Sequence, residues 1–241
     1  MASTTSNHAP ARITGISSMA TRQVLADMTA AFEQSSGQRV AIESVGGVDA
    51  AKRVQAGEAF DIVILASDAI DKLITSGHVH AGSRVDLVLS GVSVAVPEGA
   101  ALPDISSEEA VKRAVLAAPS ISYSTGPSGV ALVKLFERWG IAEEIKGRIV
   151  QAPPGVPVGS LVARGDVALG FQQLSELLNV KGIHIVGPLP GAIQINTVFS
   201  AGVSTTVAKG SPQAAHVKAL LDFLVSPQTA ETKIRQGMAP V

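Results

Sequence analysis

Apolar and polar positions follow two periods along this chain, and the two change places repeatedly. A short β-capable stretch at 12–15 leads into 17–35, where Met19, Val24, Leu25, Met28 and Phe32 recur at close to i, i+4, i+7, the mark of an amphipathic helix. Gly37 stops it, and 39–44 alternates as a strand. Gly46-Gly47 precedes a second helix over 48–57. The run Asp61-Ile62-Val63-Ile64-Leu65 is short and continuously apolar, as in a buried parallel strand, and 67–76 is helical again.

A second unit repeats this logic. The stretch 90–97 alternates as a strand, Pro103-Asp104 opens a loop, and a helix over 107–117 precedes a strand at 120–124. The loop 125–129 leads into an amphipathic helix ending near Trp139-Gly140. A strand at 147–151, a Pro/Gly loop at 153–157, a helix at 158–164 and a strand at 167–171 follow. A helix over 173–178, strands at 183–186 and 196–203, an amphipathic helix over 214–224 and a last short helix at 227–236 complete the chain. Alternating strands and helices predict an α/β fold with largely parallel sheets. Two such units joined by short strands predict two lobes that share crossover segments near 89–97 and 196–203, with 1–92 plus 197–241 forming the first lobe and 93–196 the second.

Composition narrows the classes of function. The chain of 241 residues is 46% hydrophobic and 16% charged, which is globular and not disordered. Aromatic residues make up only 3%, so the core rests on Ala, Val, Leu and Ile, and no stacking platform for nucleic acid is present. A net charge of −1 argues against a polyanion or a membrane surface as partner. The absence of cysteine excludes disulfides, thiolate nucleophiles and Cys-ligated metals. No apolar run reaches the ~18 residues of a membrane helix. The stretch 1–11 is polar, with neither a basic start nor an apolar segment, so it does not read as an intact signal peptide. Either the protein is cytoplasmic or a leader has been replaced by Met1; the second reading, a periplasmic protein, is the expectation here.

Four loop-to-helix junctions carry the candidate chemistry: Ser17-Ser18, Gly46-Gly47, the loop with Ser124, Thr125, Ser128 and Gly129, and the Pro/Gly stretch 153–159 that includes Val156. Helix starts offer unpaired N–H groups and partial positive charge, and small residues let an anion approach the backbone. In open α/β sheets such loops gather at the carboxyl ends of strands, where ligands bind. Capping and tight turns explain any one junction, but four together point to a shared anion site. Lys52 and Arg53, in the second helix, complement a carboxylate or stand as solvated surface cations. One of Gln172 and Gln173 is expected to donate an amide hydrogen bond to the ligand. His78 and His80 lack a third ligand at metal spacing, so no metal site is expected. Ser128 has no visible histidine and acid partners for nucleophilic catalysis.

At these junctions the chain resembles the molybdate-binding proteins of ABC transporters, of the type II periplasmic binding-protein fold. The resemblance spans about 12 to 237 and rests on Ile16-Ser17-Ser18, on 55–64 ahead of Ala66-Ser67, on 135–141 and on 162–170. It implies a monomeric, two-lobed protein without cofactors, holding a small anion in the cleft with neutral hydrogen bonds and handing it to an ABC permease. The matching positions are Ser17 or Ser18, the Gly46-Gly47 turn, the 125–129 loop, the 156–159 region and the position after Phe171. Three depart from the family's pattern. Gly46-Gly47 stands where a serine is usual, 124–129 replaces a short Asp-Pro type sequence, and Gln172 or Gln173 replaces a tyrosine. Losing a hydroxyl and a phenol while gaining glycines and amides suits a larger, planar ligand, an organic di- or tricarboxylate rather than molybdate.

The leading expectation is therefore a solute-binding protein. The alternative is an isomerase on the same fold, since some relatives of this family are aconitate isomerases, which shift a double bond by allylic proton transfer without metal or organic cofactor. That chemistry needs a base beside the acidic C–H and donors for the enolate-like charge. Asp49 and Lys52 are the candidates for the base, and the helix starts for the donors.

Overall fold

The computed structural model describes residues 12–153 and 155–241; the polar stretch 1–11 and Pro154 of the Pro/Gly loop lie outside them. Strands β1 (Ile13–Ser18), β2 (Val40–Val45) and β3 (Ile62–Ala66) alternate with helices α1 (Arg22–Ser36), α2 (Gly47–Gln55) and α3 (Ser67–Thr75). β1 runs parallel to both β2 and β3. All five residues of β3 are buried, as its unbroken apolar run requires of a strand covered on both faces. Its side chains divide by the strand period. Ile62 and Ile64 join Val24, Leu25, Met28 and Phe32 of α1, whereas Val63 and Leu65 join Ala50 and Val54 of α2 and Ile70 and Leu73 of α3.

The long β4 (Val85–Pro97) follows, then α4 (Glu108–Ala117), β5 (Ile121–Tyr123), α5 (Pro127–Arg138), α6 (Ala142–Ile145), α7 (Val158–Ala163), β6 (Leu169–Gln173), α8 (Leu174–Leu177) and β7 (Ile183–Pro188). β8 (Asn196–Val203), α9 (Pro212–Val225), α10 (Ala230–Arg235) and β9 (Met238–Pro240) close the chain. Across the sheet the order is β2-β1-β3-β8-β4-β6-β5, with β7 and β9 also paired to β4. β4 binds both halves together. It pairs with β8 over 85–91 and with β6 over 92–95. Parallel pairing holds for β1–β2, β1–β3 and β5–β6, where helices make the crossovers, while the pairings through β4 and β8 are antiparallel because these strands run between the lobes in opposite senses.

In the second lobe Val92, Val94 and Val96 of β4 face a core built on Phe136. That ring meets Tyr123, Trp139 and Phe171 at centroid distances of 6.1, 6.0 and 6.2 Å, which fixes α5 against the ends of β5 and β6. One expected strand is not formed. Lys146–Arg148 is a 3-10 turn, and within 147–151 only Ile149 makes a β-bridge, to Ile121. The Arg148 guanidinium donates to the Leu116 and Ala118 carbonyls at 2.7 Å each, holding this turn to the end of α4, and the chain reaches β5 only at Ile149 and Val150, whose N–H donates to the Ile121 carbonyl at 2.8 Å.

Candidate functional site

In the first lobe two junctions merge into one surface. Ser17 and Ser44 are register partners on β1 and β2, and their hydroxyls share a hydrogen bond of 2.8 Å, with Ser17 fully buried. β1 runs one residue past the expected helix start because Ser18 serves as the cap of a 3-10 turn (Met19–Thr21). Its Oγ accepts from Ala20 N at 3.3 Å, which leaves the hydroxyl proton to give. Gly46 is the N-cap of α2 and Gly47 its first residue, with no side chain capping the helix. A Cβ on Gly47 would lie 3.7 Å from Ser18 Oγ, so the bare start of α2 sits directly against the Ser18 hydroxyl. Asp49 is exposed in the first turn, and a Cβ on Gly46 would lie 3.4 Å from its Oδ2.

The two cations of α2 are not gathered into this surface. Lys52 is exposed. Arg53 donates through NH1 to Glu43 at 2.7 Å and through Nε and NH2 to Glu58 at 2.6 Å each, with its guanidinium 5.5 Å from the Phe60 ring centroid. Those carboxylates, Glu58 foremost, raise its pKa further, and its charge is spent on them.

In the second lobe the 124–129 loop folds tightly over the start of α5. Gly126 is the N-cap, and Pro127 takes the first helical position, where its missing N–H costs nothing. Ser124 and Ser128 share a hydroxyl hydrogen bond of 3.1 Å, Ser128 is buried and Thr125 is exposed. A Cβ on Gly129 would stand 1.7 Å from the Ser124 carbonyl oxygen, so only glycine permits this loop. Val156 is half-buried ahead of α7, whose N-cap is Pro157.

Both glutamines at the end of β6 are buried; neither is a surface residue. Gln173 ties the crossover strands together. With its amide oriented to satisfy both ends, the nitrogen donates to Ser90 Oγ at 2.7 Å and the Ser90 carbonyl at 3.1 Å, and the oxygen accepts from Thr197 Oγ1 at 3.0 Å. Gln172 faces the start of α7, where its Oε1 accepts from Gly159 N at 3.0 Å. Its Nε2 donates to Glu176 Oε1 at 2.9 Å. Burial pushes the Glu176 carboxyl up to about 7, with the Gln172 bond opposing part of the rise.

Glu176 was not singled out from sequence. The available signal was a carboxylate four residues after a glutamine, flanked by Leu174, Leu177 and Leu178. Its helix is also where the lobes touch. Ser175 Oγ donates to the Ala20 carbonyl at 2.8 Å, and Gly237, at φ +73, lies where a Cβ would meet Leu174 and Leu178 at 2.9 Å. The structure thus joins Ser17, Ser18, Gly46 and Gly47 in one lobe and Gln172 with the α7 start in the other, and α8 bridges them. One surface hollow, lined by Asp68, Asp71, Lys72, Thr75 and Ser76, lies elsewhere; a second, lined by Arg22, Leu25, Ala26, Thr29, Ile42 and Ser44, adjoins the Ser17–Ser44 pair. Among the described residues no three His, Asp or Glu side chains form a group able to hold a metal ion, and no helix is long and apolar enough to cross a membrane.

The profile of the bacterial extracellular solute-binding proteins matches residues 13–239. An aconitate isomerase from Pseudomonas sp. is 38% identical over 238 residues, covering 95% of this chain and 88% of that protein. The molybdate-binding protein ModA of Azotobacter vinelandii is 27% identical over 216 residues, covering 85% and 81%. The solved structure of the periplasmic molybdate-binding protein of the same organism superposes with a TM-score of 0.76 at 19% identity, over 94% of this chain and 98% of that one, which fixes the fold as that of the periplasmic binding proteins. The chain belongs to the bacterial extracellular solute-binding protein family, with relatives among both molybdate-binding proteins and aconitate isomerases.

Proposed function

We propose that this protein is an isomerase of the aconitate type, which holds an unsaturated tricarboxylate between its lobes and moves the double bond by proton transfer. The observation that carries this reading is the 38% identity to an aconitate isomerase over 95% of the chain. The site supports it. The hydroxyl of Ser18, backed by the buried Ser17–Ser44 pair, and the uncapped starts of α2 and α5 are neutral donors for carboxylates. A glycine pair and buried amides replace the hydroxyl and phenol that a compact tetrahedral oxyanion suits. The division into lobes expected at 92/93 and 196/197 is supported by β4, which changes partner from β8 to β6 between Gly91 and Val92. In this reading the protein works outside the cytoplasm, as a monomer and without a cofactor.

The family match and the ModA relative favour a second reading, a solute-binding protein that delivers a carboxylate or oxyanion to an ABC permease. One experiment separates the two. Purified protein is incubated at substoichiometric amounts with cis- or trans-aconitate, and the vinyl proton is followed by NMR. Many turnovers per protein support the isomerase; saturable binding without turnover sinks it and leaves the transport reading. Thermal shifts with molybdate, tungstate and citrate-like acids then test the ligand, and stabilisation by molybdate alone would contradict a carboxylate.

A further inference from the structure

Proton transfer at carbon needs a group that can both take and return a proton near neutral pH, held where the substrate can reach it. The candidates from sequence fit poorly. Asp49 and Lys52 are exposed on α2, and His78 and His80 lie in a turn whose bonds are to Ser76 and the Val207 carbonyl. Lys233 is buried on α10, and burial lowers its pKa, but among the described residues no hydrogen bond connects it to a helix start. Glu176 differs in kind. One oxygen is fixed by Gln172 at 2.9 Å, and Gln172 is itself fixed by the Gly159 N–H at 3.0 Å. The preceding residue, Ser175, is tied across the interface to the carbonyl of Ala20, inside the turn that Ser18 caps. Among the described residues the second oxygen, Oε2, takes no hydrogen bond, and the residue is only half-buried.

We propose that Glu176 is the group that removes and returns the substrate's proton, with Gln172 as the residue that positions it. This rests on the isomerase reading. In the step, Glu176 takes a proton from the methylene carbon beside the double bond. That C–H bond breaks and its electron pair becomes the new C=C bond. The old π pair moves to the former vinyl carbon, which accepts a proton from the Glu176 carboxyl. One C–H bond is lost and one gained, so no oxidant or reductant is needed. The negative charge that builds on the conjugated carboxylate falls to the helix-start N–H groups. The surroundings suit a proton carrier at neutral pH, because burial holds the carboxyl near the working range. Among the described residues no charged group acts on it, the Lys233 and Arg235 side chains of the nearby α10 included. β6 and the 3-10 turn carry no ionisable side chain, and β4 carries only Asp86, which is engaged by Ser200 at 2.6 Å and by Arg84.

The test uses the full chain with trans-aconitate as probe. Glu176→Gln keeps the size of the side chain and an oxygen for Gln172. It is expected to lower kcat by about 10²–10⁴-fold while the thermal shift produced by trans-aconitate persists, and to abolish exchange of the methylene protons into D2O. Glu176→Asp recovers part of the rate. Gln172→Leu removes the bond that holds the carboxyl pKa down, so the acid limb of kcat/KM moves to higher pH. A Glu176→Gln protein that folds and turns over within about threefold of wild type overturns the assignment and leaves the isomerase reading standing. If that variant does not fold, an unmoved acid limb in Gln172→Leu overturns it instead. Absence of turnover by the wild type overturns the reading and the assignment together.

Discussion

The helix starts of the two lobes are built from different chemistry. In the first lobe Ser18 and the Gly46-Gly47 turn offer neutral donors over the buried Ser17–Ser44 hydroxyl pair, with the Arg53 charge spent on Glu43 and Glu58. In the second lobe the start of α7 is already occupied by Gln172, and behind that amide sits a carboxyl pushed up to about 7. Neutral donors bind an anion equally well at any ordinary pH. A buried carboxyl near 7 adds nothing to anion binding when charged, and its placement makes sense as a proton carrier. A binding surface in one lobe can therefore face a reacting group in the other, and the shared fold accommodates both roles.

This division is broken most sharply by exchanging effects. Glu176→Gln should cost two or more orders of magnitude in kcat and little in binding, whereas Ser18→Ala should raise KM severalfold and leave the pH profile where it is; steady-state kinetics across pH separates the two. Next in size is Gly129→Ala. Its Cβ cannot occupy a point 1.7 Å from the Ser124 oxygen, so the loop must shift, at a cost of at least ~2 kcal/mol in a denaturant melt, with ligand affinity falling as well.

Stability against pH tests the same carboxyl from the other side. Glu176 has a folded pKa of about 7 against an ordinary value of 4.5, so it binds protons more tightly in the folded state. Its contribution is complete below the unfolded value and is lost as pH rises through the folded one. Wild type should therefore lose up to about 3 kcal/mol relative to Glu176→Gln between pH 5 and 8, read from paired melts. Smallest of all, Arg53→Ala should lower the melting temperature slightly and leave KM unchanged.

Much of the scaffold was legible because it depends on local pattern. The unbroken run Ile62-Val63-Ile64-Leu65 predicts a strand covered on both faces, and small residues after strand ends mark the starts of α2 and α5. Features set by long-range contact were not. The stretch 147–151 has strand character, but Arg148 binds the end of α4 and limits the contact with β5 to Ile149 and Val150. Arg53 reads as an anion ligand until Glu43, ten residues before it, folds beside it. Glu176 was hidden for the same reason. A lone carboxylate between leucines reads as a solvated face, and it becomes chemically distinctive only when α8 is pressed between the two lobes by Ser175 and Gly237.

The most direct measurement follows trans-aconitate by proton NMR with wild-type protein and with Glu176→Gln, each at one-hundredth of the substrate concentration. Equilibration of the two isomers by the wild type, with the variant slower by about 10²-fold or more, is the predicted result. Unchanged spectra with wild-type protein, over hours in which the same ligand visibly stabilises it, would contradict it.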